Sequence, residues 1–357
     1  MKKKTRVILA LVLGAVALIV MVGGYFWYQM GEALYQPGMV RAEKNLRGSL
    51  TPPPQSGDPD FWNVEPDIRL HHFSQGAGRN VLIVHGGPGY PDVKPWSSLD
   101  ALANKFAFRY YDQRGCGQST RPFDRFSSGN YYENMTTLEQ TLGLGAQVAD
   151  IERIRQILGE DKLIFIGHSW GGFLASLYAA EFPEHVQALI LVAPADMLVM
   201  PQEGGGLYED VRKRLPAAMQ ADYDAYLKRY FDFGSIFSQS DADLVALNDE
   251  FVKYYAAAAG TPLSVQGKTG GWMVQAMYFS IGTRHDYRAA LKAVNAPVLV
   301  VYGANDLQTE KASRAYVAAF PNATFQVIGN ADHFVFDDQP DKFAAVVDEF
   351  LDNLPRD

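Results

Sequence analysis

Beyond residue 60 the chain is punctuated by short, nearly continuous apolar runs at residues 81–84, 106–111, 163–166, 188–192, 297–302 and 324–328. Unbroken Val, Ile, Leu and Phe, as opposed to apolar–polar alternation, is what strands covered on both faces need, because βαβ crossovers lay helices over each side of a parallel sheet. Stretches of helical period separate the runs. Val148, Ile151, Ile154, Ile157 and Leu158 recur three and four apart, Asp150, Glu152, Arg153 and Arg155 fall between them, and Gly159 stops the helix. The predicted class is therefore α/β: a mostly parallel central sheet with helices on both faces, built from residues 61–195 and 296–357. Residues 196–295 break the alternation. Rich in Tyr, Ala, Gln and acidic residues, they read as a mainly helical cap inserted into the sheet domain.

The first 60 residues follow other rules. From Val7 to Tyr28 no residue is charged and most are apolar, and roughly 20 such residues suffice to cross a bilayer as a helix. Lys2, Lys3, Lys4 and Arg6 precede the run and Tyr25, Phe26, Trp27 and Tyr28 close it, as a cytoplasmic basic flank and an interfacial aromatic belt would. Residues 1–30 are thus expected to form a single-pass transmembrane anchor or signal-anchor. The N-terminus would then be cytoplasmic and the following domain periplasmic or extracellular. The alternative is secretion after cleavage of a signal peptide, although no clear AxA site follows Val22. Residues 31–60, with Pro52, Pro53, Pro54 and Pro59 and no apolar period, read as a stalk.

Composition narrows the function. At 48% hydrophobic and 20% charged over 357 residues, the chain has ample apolar material for a packed core, which removes disorder as the default. Net charge is −8 although the first six residues carry +4, so the remainder is strongly acidic and nucleic acid is not an expected partner. The lone Cys116 allows no intrachain disulfide. No His, Cys or Asp cluster has metal-ligand spacing, and neither metal nor organic cofactor is implied.

The chemistry concentrates at three places. Gly167, His168, Ser169, Trp170 and Gly171 form a GxSxG pattern directly after the run at 163–166 and before a helical stretch at 172–182. A nucleophile on so sharp a strand-to-helix turn needs small neighbours and is lifted above the sheet edge. A serine hydroxyl requires a base, and the base a carboxylate that fixes its tautomer. In this arrangement they follow in the order Ser, Asp, His. Asp306 lies just after the run at 297–302, and His333 on the loop after the last run. Asp332 is the rival acid, but adjacency in sequence places it badly for the far nitrogen of the same ring. His168 is taken as structural, since neighbours at such a turn point apart, and His71, His72, His185 and His285 as surface or core residues. The loop His85, Gly86, Gly87, Pro88, Gly89 follows the run at 81–84, and its glycines let backbone approach a substrate carbonyl. The amides of Gly87 and Trp170 are the expected oxyanion donors. No Lys or Ser/Thr follows at phosphate-loop spacing.

HGGPG at 85–89, DQRGCGQS at 112–119 and GHSWGG at 167–172, taken together and in this order, resemble the prolyl iminopeptidase family of α/β-hydrolases. The likeness runs from about residue 61 to the C-terminus and is weakest through the cap. It implies release of N-terminal residues, often proline, from small peptides. In that family cap glutamates within a tryptophan-glutamate pattern receive the substrate's ammonium. Here the nearest stretch, 251–260, reads FVKYYAAAAG and lacks both. Glu203, Glu209 and Glu250 are the candidates to substitute, with Gly86 as a further substrate-binding position. Asp112 and Arg114 are expected to brace a loop by ion pairing, and Cys116 to be packed. A carboxylesterase or lactonase on small acyl substrates and a non-catalytic binding module on the same fold are the alternatives. Ser169 argues against the epoxide hydrolases and dehalogenases that carry aspartate at the turn. Activity should fall below roughly pH 6 to 7, because the imidazole must be neutral to act as base.

Overall fold

The computed structural model describes residue 21 and residues 31–202, 205–261 and 267–354. The strands are β1 (Phe61–Glu65), β2 (Ile68–Gly76), β3 (Arg79–Val84), β4 (Phe106–Tyr111), β5 (Leu163–His168), β6 (Val186–Val192), β7 (Val199–Met200), β8 (His285–Asp286), β9 (Val298–Gly303) and β10 (Ala323–Ile328). The helices are α1 (Tyr131–Leu142), α2 (Leu144–Leu158), α3 (Trp170–Glu181), α4 (Gly206–Arg214), α5 (Ala217–Tyr230), α6 (Asp241–Ala259), α7 (Trp272–Ile281), α8 (Arg288–Leu291), α9 (Glu310–Ala319), α10 (Val335–Asp338) and α11 (Pro340–Asp352). Eight strands form one sheet in the order β1-β2-β4-β3-β5-β6-β9-β10, while β7 and β8 pair separately. From β4 onward every pairing is parallel.

The apolar runs are explained by two cores on opposite faces. Along β3, Leu82 and Val84 enter one cluster while Val81 and Ile83 enter the other; β5 divides Leu163 and Phe165 from Ile164 and Ile166, and β9 divides Val298 and Val300 from Leu299 and Val301. Side chains alternate faces at period two, so a strand covered twice is apolar throughout. All six runs read from sequence are strands.

Besides the two-residue β7 and β8, two strands of the main sheet escaped that reading. β1 and β2 form an antiparallel hairpin at the sheet edge. Their sequences FWNVE and IRLHHFSQG alternate instead of running continuously apolar, because one face is only partly covered. His71 and His72 therefore lie within the sheet, in β2. His72 stacks on Trp62 with centroids 3.9 Å apart.

The expected stalk also differs. Tyr35 and Val40 are buried in the core, and the Glu181 carboxylate at the end of α3 accepts from the Tyr35 hydroxyl at 2.9 Å and from the amides of Gly38, Val40 and Arg41 at 2.8, 3.3 and 3.1 Å. Arg153 further donates to the Ser49 carbonyl at 2.7 Å. Scattered apolar residues, among them Ala33, Tyr35 and Val40, make no period, which is why the segment reads as a linker. The anchor expected at residues 1–30 lies, apart from Met21, outside the described residues. Among the described residues no helix is long and apolar enough to cross a membrane.

Helices α4 to α7 fall between β6 and β9 and lean over the C-terminal ends of the strands. The Gly270 amide donates to the Gly89 carbonyl at 2.8 Å, and Thr261 donates to the Asp332 carboxylate at 2.8 Å.

Candidate active site

Ser169 occupies the turn between β5 and α3 with φ 53° and ψ −119°, a conformation L-residues rarely take. The surrounding chain holds it there. Its amide donates to the Val192 carbonyl at 2.8 Å, and its carbonyl accepts from Gly172 at 3.0 Å and Ala195 at 3.0 Å. Small neighbours are required: a Cβ on Gly171 would run into the Val84 carbonyl, and one on Gly167 would meet the first turn of α3. Trp170 opens α3, so its amide belongs to the first-turn donors that no helical carbonyl can reach. Its buried indole donates to the Gln113 side chain at 3.2 Å.

The loop from His85 to Gly89 lies against this turn. A Cβ on Gly86 would come within 3.2 Å of Ser169 Cβ, and Gly87 has φ 122°, a conformation that favours glycine. His85 anchors the loop from below. Burial pushes its imidazole down to about 4, so it is neutral. Nε2 accepts from the Gln113 amide at 3.1 Å, which leaves Nδ1–H to donate to the Gly86 carbonyl at 2.9 Å. Gln113 thus ties the glycine loop to Trp170, on the far side of Ser169.

Asp306 and His333 meet at the ends of β9 and β10. His333 Nδ1–H donates to Asp306 Oδ2 at 2.9 Å, and the other carboxylate oxygen accepts from the Gln308 amide at 2.9 Å. Asp332 turns elsewhere, accepting from Thr261 and from the Phe334 amide at 3.3 Å. Ser169, Asp306 and His333 are all buried, at 8%, 3% and 6% exposure, so water reaches them only sparsely. From α6, the Tyr255 ring stands 6.1 Å from that of His333. Arg214, at the end of α4, donates to the Asp306 carbonyl at 3.3 Å. Neither contact is signalled by any pattern in the sequence, since both come from the part of the chain with no period to read.

The candidate substrate glutamates fare differently. Glu203 lies outside the described residues. Glu209 pairs with Lys213 at 3.0 Å, and Glu250 with Arg229 at 2.9 Å and Lys253 at 3.0 Å, on exposed helix faces. Asp112 accepts from the Gln118 amide at 2.8 Å and pairs with His71 at 3.1 Å. Arg114 is fully buried and reaches Asp150, Glu65 at 2.8 Å and the Thr141 carbonyl at 2.8 Å. Cys116 is buried, and burial with the Asp112 charge pushes its thiol up, away from the reactive thiolate. No group of three or more His, Cys, Asp or Glu side chains among the described residues could hold a metal.

Residues 79–340 match the family described as alpha/beta hydrolase fold. A proline iminopeptidase of Heyndrickxia coagulans is 28% identical over 291 residues, covering 78% of this chain and 92% of that protein. Among solved structures, the proline iminopeptidase of Mycobacterium smegmatis aligns with TM-score 0.51 and 21% identity over 80% of this chain and 95% of its own. A thermophilic esterase of Thermogutta terrifontis aligns with TM-score 0.52 and 20% identity, over 84% and 97%. At such identities the two structures speak for the fold alone.

Proposed function

The chain belongs to the α/β-hydrolase fold family, with sequence likeness to proline iminopeptidases, and we propose that it is a serine hydrolase working through an acyl-enzyme on Ser169. The observation that carries this reading is the 2.9 Å bond from His333 Nδ1 to Asp306, on a loop beside a serine held at φ 53°. With Nδ1–H given to Asp306, the His333 Nε2 lone pair is free to take the proton from Ser169 as its oxygen attacks a carbonyl carbon. The Asp306 carboxylate stabilises the imidazolium so formed. The amides of Gly87 and Trp170 supply the donors for the developing oxyanion. His333 returns the proton to the leaving group, and water repeats the cycle to release the acid. Burial of the three side chains strengthens each of these interactions.

As to substrate, we propose an aminopeptidase that releases N-terminal residues from small peptides, supported by the curated relatives. A second reading, a carboxylesterase or lactonase, is favoured by one observation: Glu209 and Glu250 already neutralise helix cations, which leaves them poorly disposed to receive a substrate ammonium. Rates on proline and alanine arylamides against short acyl esters and lactones separate the two. The aminopeptidase reading expects arylamide turnover that vanishes in Ser169→Ala. Turnover of esters alone would overturn it in favour of the second.

A further inference from the structure

His168 closes β5 one residue before Ser169, and three parts of the site converge on its ring. Nε2 lies 3.0 Å from the main-chain oxygen of His333. The ring centroid stands 4.8 Å from that of His333 and 5.1 Å from those of Phe334 and Phe336. On the opposite side a Cβ at Gly86 would come within 3.0 Å of Nδ1, so the glycine loop abuts the ring as well. A carbonyl oxygen only accepts, so Nε2 carries the proton and donates to it. Burial, with the neighbouring His333 second, pushes His168 far below the ordinary imidazole range; the ring stays neutral and keeps this tautomer while His333 cycles between its charge states.

Asp306 grips the His333 ring at a single nitrogen. That bond fixes the ring at one point; where the ring sits relative to Ser169 depends on a second, the main chain that carries it. The bond from His168 supplies that second point, and it comes from the strand whose next residue is Ser169. We infer that His168 is a positioning residue: by binding the His333 carbonyl through Nε2–H it ties the base's main chain to the nucleophile's own strand and sets the separation across which the proton passes. The inference rests on the serine-hydrolase reading above.

Reach distinguishes this role from packing. In His168→Gln the amide nitrogen extends to the place of Nε2, whereas in His168→Asn it stops near Nδ1, and His168→Leu has no donor. The readouts are kcat, KM, and the rate at which a fluorophosphonate labels Ser169, with melting temperature as a control. A misplaced base should cost on the order of a hundredfold in kcat and in labelling rate for the Leu and Asn variants, with KM within about twofold, and Gln should restore most of the loss. Labelling at the wild-type rate in His168→Leu would overturn the inference, as would equal impairment of Gln and Asn. Should the Leu variant not fold, the Gln and Asn pair decides alone. A folded wild-type protein that takes no label would instead sink the serine reading, and the inference with it.

Discussion

At Ser169 the backbone is held at φ 53° by bonds to Val192, Gly172 and Ala195, and such a conformation costs an L-residue about 1–3 kcal/mol. Ser169→Gly should therefore raise thermal stability, by about 1 kcal/mol or more, while removing activity; a calorimetric melt no higher than wild type would show the turn to be unstrained. On the serine-hydrolase proposal, Asp306 acts through the tautomer of His333, to which it is bonded at 2.9 Å. Asp306→Asn keeps the shape but offers an amide that favours the wrong ring proton, and kcat should fall by about 10³ to 10⁴ with the melting temperature little changed. A loss under tenfold in steady-state assays would point to another acid. Sequence alone singled out Ser169, Asp306 and His333 as candidates because each follows a recognisable run, at a strand end or on the loop after the last strand. It could not show that His168 reaches the His333 carbonyl, since that contact joins residues 165 apart in the chain and leaves no local pattern.

Elements buried on both faces were legible, and the β1–β2 hairpin, only partly covered on one face, was not. β3, β5, β6 and β9 write their burial as unbroken apolar runs, whereas β2, between β1 and β4, carries His71, His72, Ser74 and Gln75. Buried charge was equally hidden. Between α1 and α7, Glu139 accepts from Ser280 at 2.6 Å, and burial pushes its carboxyl up to about 7. A raised carboxyl binds its proton more tightly in the folded state, so folding loses stability as pH climbs from about 4.5 to about 7 and stays penalised above. Glu139→Gln should stabilise the protein at pH 8 by up to about 3 kcal/mol and have little effect at pH 4.5. Equal melting shifts at both pH values would contradict this. Glu65 works in the opposite sense. Burial opposes its ionisation, but Arg114, Arg153 and Arg47 outweigh it and hold the carboxyl down at about 2. Its contribution is present above about pH 4.5 and is lost toward pH 2. Removing one partner of a buried pair costs about 3–5 kcal/mol, which is the loss expected for Glu65→Gln in denaturant melts at neutral pH.

For the molecule as a whole, the candidate site is a meeting of three layers: the glycine loop and the Ser169 turn from the sheet, Asp306 and His333 from the ends of its last two strands, and a roof from α4 to α7. The segment before the hairpin belongs to this body as well. Glu181 gathers four donors from residues 35–41, so Glu181→Ala should free that segment to proteolysis near Arg41 and lower the melting temperature. An unchanged digestion pattern would show that the segment is held by other contacts.

The central claim is that Ser169 is made nucleophilic by His333. Its most direct measurement is the site and rate of fluorophosphonate modification, followed by mass spectrometry of digested wild-type, Ser169→Ala and His333→Ala proteins. One adduct is predicted, on Ser169, absent from Ser169→Ala and formed at least a hundredfold more slowly, in order of magnitude, in His333→Ala. A folded wild-type protein with Ser169 unmodified, or an adduct that forms as fast without His333, would contradict the account.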